Sequence, residues 1–162
     1  MEIRKIEEKD IQEVSDLIAK TARISLAIYY PQKEVNSVIK SLDYEGVKKR
    51  ASWTHFYVIK ESNKIVACGA IGPYWDSLTE SSLFTIFVDP DHQGKGYGRK
   101  IIETLERDEY FTRAKRTEIP AGMVAIPFYR KMGYEFKNGE LVYSNGHFAL
   151  EKFNPNYEEK ML

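Results

Sequence analysis

Apolar residues recur along this chain in two rhythms. Ile3–Ile6 alternates with polar neighbours and predicts a strand. From Asp10 the period lengthens. Ile11, Val14, Leu17 and Ile18 form one stripe of a helix beginning at Asp10, with Glu13 three residues on as a capping-box partner. Val35–Leu42 and Val47–Ala51 predict two short helices separated at Gly46. Phe56–Lys60 and Lys64–Ile71 predict a hairpin turned at Ser62-Asn63. A strand over Ser81–Val88 ends at Asp89-Pro90, and a helix over Gly98–Asp108 carries Ile101, Ile102 and Leu105 on one side. Arg116–Ile119 predicts a further strand. A short helix follows, with Pro127 in its first turn, Phe128 and Met132 on its inner face and Gly133 at its end. Glu135–Phe136, Leu141–Tyr143 and His147–Phe153 predict closing strands around turns at Asn138-Gly139 and Asn145-Gly146. No internal repeat interrupts the order β-α-α-β-β-β-α-β-α-β-β. The pattern predicts one α/β domain over residues 1–153 and a polar, loosely ordered tail over 154–162.

Composition narrows the function. A chain of 162 residues is long enough for one real core, and 43% hydrophobic with 30% charged residues is the mixture of a soluble globule. Zero net charge and a pI near 6.8 argue against a nucleic-acid partner, which selects a basic excess. No apolar run reaches transmembrane length and Met1-Glu2-Ile3-Arg4 opens no signal peptide, so the expectation is a cytoplasmic protein without a membrane partner. Cys68 stands alone in an apolar strand and reads as a buried, inert thiol. His55, His92 and His147 are scattered, with neither metal-ligand spacing nor a nucleophile triad, so no metal is expected. Composition leaves the assembly state open, a homodimer included.

The chemistry concentrates after the strand that ends at Val88. There the chain reads Gln93-Gly94-Lys95-Gly96-Tyr97-Gly98-Arg99 and runs into the helix. Glycines let a backbone approach a ligand closely, and the first N–H groups of a helix favour an anion. Lys95, Arg99 and Lys100 add positive charge at the same place. The spacing is neither the dinucleotide fingerprint nor a Walker loop, which would need Ser or Thr after a Gly-Lys pair.

The Q-x-x-G-x-G pattern of Gln93–Gly98 after a strand and Asp-Pro resembles the pyrophosphate loop of the GNAT N-acetyltransferase superfamily, which binds acetyl-CoA. A second segment, Ala125-Ile126-Pro127-Phe128-Tyr129-Arg130-Lys131-Met132-Gly133-Tyr134, is similar to the A-x-P-F-Y-x-K-x-G-[FY] stretch of many of its members. The resemblance spans about Ile65–Phe136. It implies the GNAT acyl-CoA N-acyltransferase fold, a mixed twisted sheet with helices on both faces, and acetyl-CoA as cosubstrate without a metal. It also implies that Ile86, Phe87 and Val88 offer main-chain contacts to the thioester and pantetheine, and that Gln93, Gly94, Lys95, Gly96, Tyr97, Gly98 and Arg99 cradle the pyrophosphate. Tyr129 takes the place of the family's general acid, since a phenol stays protonated at neutral pH. Two positions depart from the pattern. Ser82 stands where some members carry a glutamate base, which leaves Glu80, two residues earlier on the same strand face, as the candidate acting through water. Asp76 and Glu118 are further carboxylates. Gly122 stands where many members carry an asparagine, so no side-chain contact is expected from it.

For the acceptor, Tyr29, Tyr30 and Trp75 offer aromatic faces suited to an ammonium group. Their alternative reading is packing that closes the core under loops. The expected function is transfer of acetyl from acetyl-CoA to a primary amine, on a small molecule or a peptide. A non-catalytic acyl-CoA-binding or regulatory module on the same fold is the competing reading.

Overall fold

The computed structural model describes residues 1–144 and 146–158. In chain order it contains β1 (Glu2–Lys5), α1 (Ile11–Ile24), α2 (Gln32–Ser41), α3 (Tyr44–Trp53), β2 (His55–Glu61), β3 (Lys64–Pro73), β4 (Glu80–Val88), α4 (Tyr97–Glu106), α5 (Glu109–Thr112), β5 (Arg116–Ala121), α6 (Ile126–Lys131), β6 (Glu135–Phe136), β7 (Tyr143–Ser144) and β8 (His147–Phe153). The strands form a mixed, mostly antiparallel sheet in the order β1-β2-β3-β4-β5-β8-β6, with β7 on β8, and helices flank it. The expected α/β class is the observed one. By internal contacts the chain divides into two compact units, Met1–Ala70 with Thr85–Thr104, and Ile71–Phe84 with Leu105 onward.

In the first unit β1 lies antiparallel to β2, with Ile3 opposite Ile59. The hairpin turns where expected: Ser62 and Asn63 both adopt left-handed conformations (φ 47° and 67°), the requirement of a two-residue hairpin turn. The stripe of α1 is buried as its spacing predicts, with Val14 and Ile18 wholly inaccessible. Its capping box does not form. The Asp10 carboxylate instead accepts from the Arg4 guanidinium (2.6 and 3.0 Å) and from the Glu7 N–H (2.8 Å). Arg4 thereby holds the Asp10 carboxyl below the usual carboxylate range. Glu13 reaches away from its own helix and accepts the Ile65 N–H at 2.7 Å, anchoring the start of β3. The helices expected on either side of Gly46 are longer than predicted, and Gly46 lies inside α3. Asp43 caps α3 by accepting the Gly46 N–H at 2.9 Å, a bond of a kind worth about 1 kcal/mol. A Cβ at Gly46 would stand 1.9 Å from the Ser41 carbonyl oxygen, so this glycine serves a close backbone approach rather than a helix break. Phe56, Val58, Ile59, Ile65, Val66, Cys68, Ile101 and Ile102 fill the interior. Burial pushes the Cys68 thiol up to about 12, so it stays protonated and unreactive at neutral pH, as its apolar strand predicts.

In the second unit β4 pairs parallel with β5 over Glu80↔Arg116, Ser81↔Thr117 and Ser82↔Glu118, where the register stops although β5 continues to Ala121. β5 pairs antiparallel with β8 along its whole length. The helix over the Pro127 segment has a different inner face from the expected one. Ile126 and Tyr129 are buried, whereas Phe128 and Met132 are only partly covered. Ile126 pairs with Tyr129 at i,i+3 and sets the phase of this short helix. The helix ends at Gly133 in a left-handed conformation (φ 97°). Tyr134 is then fully buried, and its hydroxyl donates to Glu106 at 2.8 Å. α4 stops at Glu106 rather than Asp108, because Asp108 caps α5 by accepting the Tyr110 N–H (2.9 Å). The strand expected over Leu141–Tyr143 is the two-residue β7. Leu141 and Val142 lie exposed outside it, so their apolar character marks no core position. The Asn138-Gly139 turn forms, with Asn138 left-handed (φ 55°). Asn145 of the second expected turn and residues 159–162 of the tail lie outside the described residues. Asn154, expected to begin the loose tail, is anchored: its amide donates to the Thr112 and Ala114 carbonyls, both at 3.1 Å.

Candidate active site

The glycine loop is built from its N-terminal hinge. Asp89 ends β4 with its carboxylate almost wholly buried. It accepts from the Asp91 N–H (2.8 Å) and pairs with Lys20 (3.1 Å) and Lys64 (3.4 Å). Burial alone would raise the Asp89 pKa, but the Asp91 N–H and Lys20 more than offset it, and the carboxyl titrates below its ordinary range. Gln93 turns back on the strand. Its amide donates to the Val88 carbonyl (3.2 Å) and the Ser25 hydroxyl (3.3 Å), fixing the loop against the end of α1. Gln93 is thus held by protein, as a support for the loop. Gly94 and Gly96 take left-handed conformations (φ 77° and 86°). The helix expected from Gly98 starts one residue earlier, at Tyr97, which leaves Gly98 in the first turn of α4. The Gly96 carbonyl accepts the Lys100 N–H at 3.1 Å, so the N–H groups of Tyr97, Gly98 and Arg99 precede the first intrahelical acceptor. The Tyr97 ring packs edge-on against His92 (6.0 Å), and burial together with the Glu61 carboxylate raises its phenol pKa.

Charge distinguishes this loop. Lys95 and Arg99 are exposed, Lys100 is half-buried, and none of the three pairs with a carboxylate among the described residues. Cations at a helix N-terminus oppose the macrodipole, so local packing gives no reason for them. A bound polyanion does, because exposed N–H groups, dipole and cations would all act on it together.

Ile86, Phe87 and Val88 are half-exposed although β4 is an interior strand of the sheet. Thr85, just before them, has φ 57°, an outlying conformation for a β-branched residue and one that costs about 1–3 kcal/mol. It is held there from two sides. The Arg50 guanidinium donates to the Thr85 hydroxyl (3.3 Å), and the Cys68 thiol donates to its carbonyl (3.4 Å). A kink of this kind re-aims the following main-chain groups. Nothing in the sequence signals it, since Thr85 reads as an ordinary strand residue. Arg50 and Ser25 were likewise invisible as contributors, because their partners are distant in sequence.

In the second unit Tyr129 has a buried ring packed edge-to-face on Phe128 (5.3 Å). Its hydroxyl is bonded to no described residue, and it is not among the fully enclosed polar atoms. Burial raises the phenol pKa further, so the group stays neutral and able to donate across the physiological range. Glu80 is engaged: its carboxylate accepts from Arg116 at 3.3 and 3.5 Å. Arg116 also donates to Glu118 (2.9 Å) and Glu151 (3.0 Å) and lies over the Tyr74 ring (5.0 Å). Lys137 closes the cluster on Glu118 (2.9 Å) and the Tyr74 hydroxyl (3.1 Å). Ser82 is buried and donates to the Leu83 carbonyl (3.2 Å), and Asp76 is an exposed turn residue.

Of the acceptor candidates, Trp75 is 87% exposed in a left-handed turn position (φ 46°) and touches Tyr74 edge-on (6.4 Å). Tyr29 is also exposed and Tyr30 half-buried. Core closure therefore does not account for Trp75 or Tyr29. Tyr29 and Tyr30 belong to the first unit, Trp75 to the second. Among the described residues no group of three or more His, Cys, Asp or Glu could hold a metal ion, and no helix is long and apolar enough to cross a membrane.

Residues 52–136, more than half of the chain, match the model of the acetyltransferase (GNAT) domain. Among solved structures the chain is similar to the PaiA N-acetyltransferase of Thermoplasma acidophilum in complex with coenzyme A, with a TM-score of 0.79 at 15% identity over 94% of this chain and 98% of that one. A GCN5-related N-acetyltransferase from Rhodopseudomonas palustris matches with a TM-score of 0.76 at 18% identity, covering 94% and 95%. N-acetylglutamate synthase from Neisseria gonorrhoeae, complexed with coenzyme A and N-acetylglutamate, matches with a TM-score of 0.69 at 13% identity, over 94% of this chain and 34% of that one. At these identities the structural likeness is one of fold.

Proposed function

Because the chain belongs to the GNAT acetyltransferase family, we propose that it binds acetyl-CoA at the start of α4 and passes the acetyl group to a primary amine by direct attack in a ternary complex. The observation that carries this reading is the loop itself. Two left-handed glycines, three N–H groups without intrahelical acceptors and three cations without ion-pair partners converge on one helix N-terminus. That is a site for the phosphates of CoA.

In the proposed reaction the neutral amine attacks the thioester carbonyl carbon, a main-chain N–H in Ile86–Val88 stabilises the oxyanion, and the C–S bond then breaks. The thiolate takes its proton from the Tyr129 hydroxyl, and the phenolate left behind regains one from water. The new amide nitrogen loses its proton to water, with Glu80 as the candidate relay. An alkylamine has a pKa near 10.4, so its neutral form at pH 7 is scarce by roughly 3 units, or about 4–5 kcal/mol. Some group must draw off that proton. Glu80 is bonded to Arg116 at 3.3 Å, and a carboxylate engaged in this way suits a relay better than a dedicated base. Glu80→Gln should lower kcat/KM for the amine by about tenfold or less, below the 10²–10⁴ of a dedicated base. Unchanged kcat/KM would leave Glu80 to Arg116 alone. The substitution of Ser82 for a carboxylate favours the second reading, a CoA-binding module without turnover. A thiol-release assay over amines, polyamines, amino acids and peptides decides between them.

Trp75 tests the aromatic acceptor site. Because it is exposed, Trp75→Ala should shift unfolding free energy by no more than about 0.5 kcal/mol. The KM for the amine should rise while that for acetyl-CoA holds. Equal kinetic constants in both proteins would remove Trp75 from the site.

A further inference from the structure

The phenol assigned as proton donor stands on a short support. α6 has six residues, too few for a helix to hold itself, so tertiary contacts decide where Tyr129 points. Its hydroxyl bonds to no described residue that would fix it directly. The direction of the phenol therefore comes from the packing of its ring and from the backbone of α6.

The end of that helix is locked by polar groups of the second unit. The Tyr129 carbonyl accepts the N–H of Tyr134 at 3.0 Å and that of Met132 at 3.1 Å. Tyr134 is wholly buried, and its hydroxyl donates to the Glu106 carboxylate at 2.8 Å. Burial first, and then that carboxylate, raise the Tyr134 phenol pKa, so the hydroxyl stays a donor at neutral pH. Lys152 of β8 donates to both oxygens of Glu106 (3.1 and 3.0 Å) and to the Met132 carbonyl (2.9 Å). Its ammonium lies 5.3 Å from the Tyr134 ring centre. Gly133 leaves room for it, since a Cβ there would stand 3.2 Å from both Cε and Nζ of Lys152.

Stability is a poor account of this arrangement. The Lys152 and Glu106 side chains keep 27% and 20% exposure. Such a pair adds little to stability, and apolar residues could fill the space without desolvating two charges. Directional bonds supply what apolar packing does not, a fixed place for residues 132–134 and so for the Tyr129 carbonyl. A displacement of about 1 Å at a reacting group can cost about 10²-fold in rate.

We propose that Lys152, Glu106 and Tyr134 form a latch that positions the Tyr129 phenol for proton donation to the departing thiolate. They are positioning residues and touch no reacting atom. The latch rests on the acid role proposed above for Tyr129.

The test measures thiol release from acetyl-CoA with benzylamine, putrescine, phenylalanine and alanyl-alanine, and follows the amine that the parent turns over fastest. Lys152→Met and Tyr134→Phe are each made in the parent and in Tyr129→Phe. In the parent each should lower kcat by about three- to tenfold, less than loss of the phenol itself, with KM for acetyl-CoA unchanged. In Tyr129→Phe neither should lower kcat by more than about twofold, because no proton donor is left to place. A merely structural latch would lower kcat by the same factor in both backgrounds. That result overturns the proposal, as does a parent-like kcat in both single variants. If Lys152→Met does not fold, Tyr134→Phe carries the test, since it removes one hydroxyl and keeps the buried ring. The two readings fail differently. A parent-like kcat in Tyr129→Phe, or no thiol release by the parent, ends the acid role and the latch with it. A large fall in Tyr129→Phe beside unchanged latch variants ends the latch alone.

Discussion

Gly96→Asp should abolish measurable acetyl-CoA binding while leaving the fold intact. Gly96 has φ 86°, and no atom lies within 4 Å of where its Cβ would stand. The added side chain meets open space, and aspartate is among the L-residues that tolerate this conformation best. The left-handed backbone strains any side chain here by about 1–2 kcal/mol, with no steric clash added to it. The electrostatic effect acts on the ligand, because the new carboxylate sits between Lys95 and the N-terminus of α4, where the phosphates should lie. Two like charges about 4 Å apart repel by about 1 kcal/mol in water and about 4 kcal/mol at an effective dielectric of 20. Against a doubly charged pyrophosphate this amounts to a loss of about 10²-fold or more in affinity. Gly96→Asn separates charge from shape, since it adds the same volume without the charge. Calorimetry should show near-parent affinity for the asparagine variant and none for the aspartate variant, both with parent-like circular dichroism. Parent-like affinity in the aspartate variant would move the phosphates away from this loop and remove the central claim.

The loop was legible in the sequence because its chemistry is local. Glycine conformations, helix start and cations all fall within Gln93–Lys100, and composition alone announces them. The class of the fold was legible for a similar reason: the period of Ile11, Val14, Leu17 and Ile18 and the turn at Ser62-Asn63 are short-range signals. Misread features depended on partners distant in the chain. Glu13 sits where a capping box needs it, yet Ile65 takes its carboxylate, fifty-two residues away. Gly46 reads as a break until Ser41 is seen pressed against it. Thr85 carries no sign of its left-handed backbone, because Arg50 and Cys68 hold it through tertiary contacts. Glu80 reads as a free carboxylate until Arg116 is placed beside it by the parallel register of β4 and β5. Phe128 looks more like a core residue than Tyr129 by hydrophobicity, but the phase of α6 buries Tyr129 instead.

That buried tyrosine carries the other large expected effect. Tyr129→Phe should reduce kcat by about 10²-fold, the lower range for loss of a positioned proton donor. The change removes one oxygen that no described residue bonds, so the ring and its contact with Phe128 persist. Stability should stay close to the parent's, since the hydroxyl has no bond to a described residue to lose. Acetyl-CoA affinity and its KM should stay close to the parent's. A fall confined to kcat identifies an interaction made in the transition state. The pH profile gives an independent reading. Burial raises the phenol above its ordinary pKa near 10, and the donating form is the neutral one present below that value. The parent's kcat should therefore show no decline from loss of this acid up to about pH 10, while kcat/KM for the amine climbs with its deprotonation. A thiol's own pKa near 8.5 limits the effect at high pH, where the thiolate leaves unaided, so the gap between parent and variant should narrow there. A variant that keeps the parent's kcat under conditions where chemistry limits turnover would reduce Tyr129 to a packing residue, with water protonating the departing thiolate.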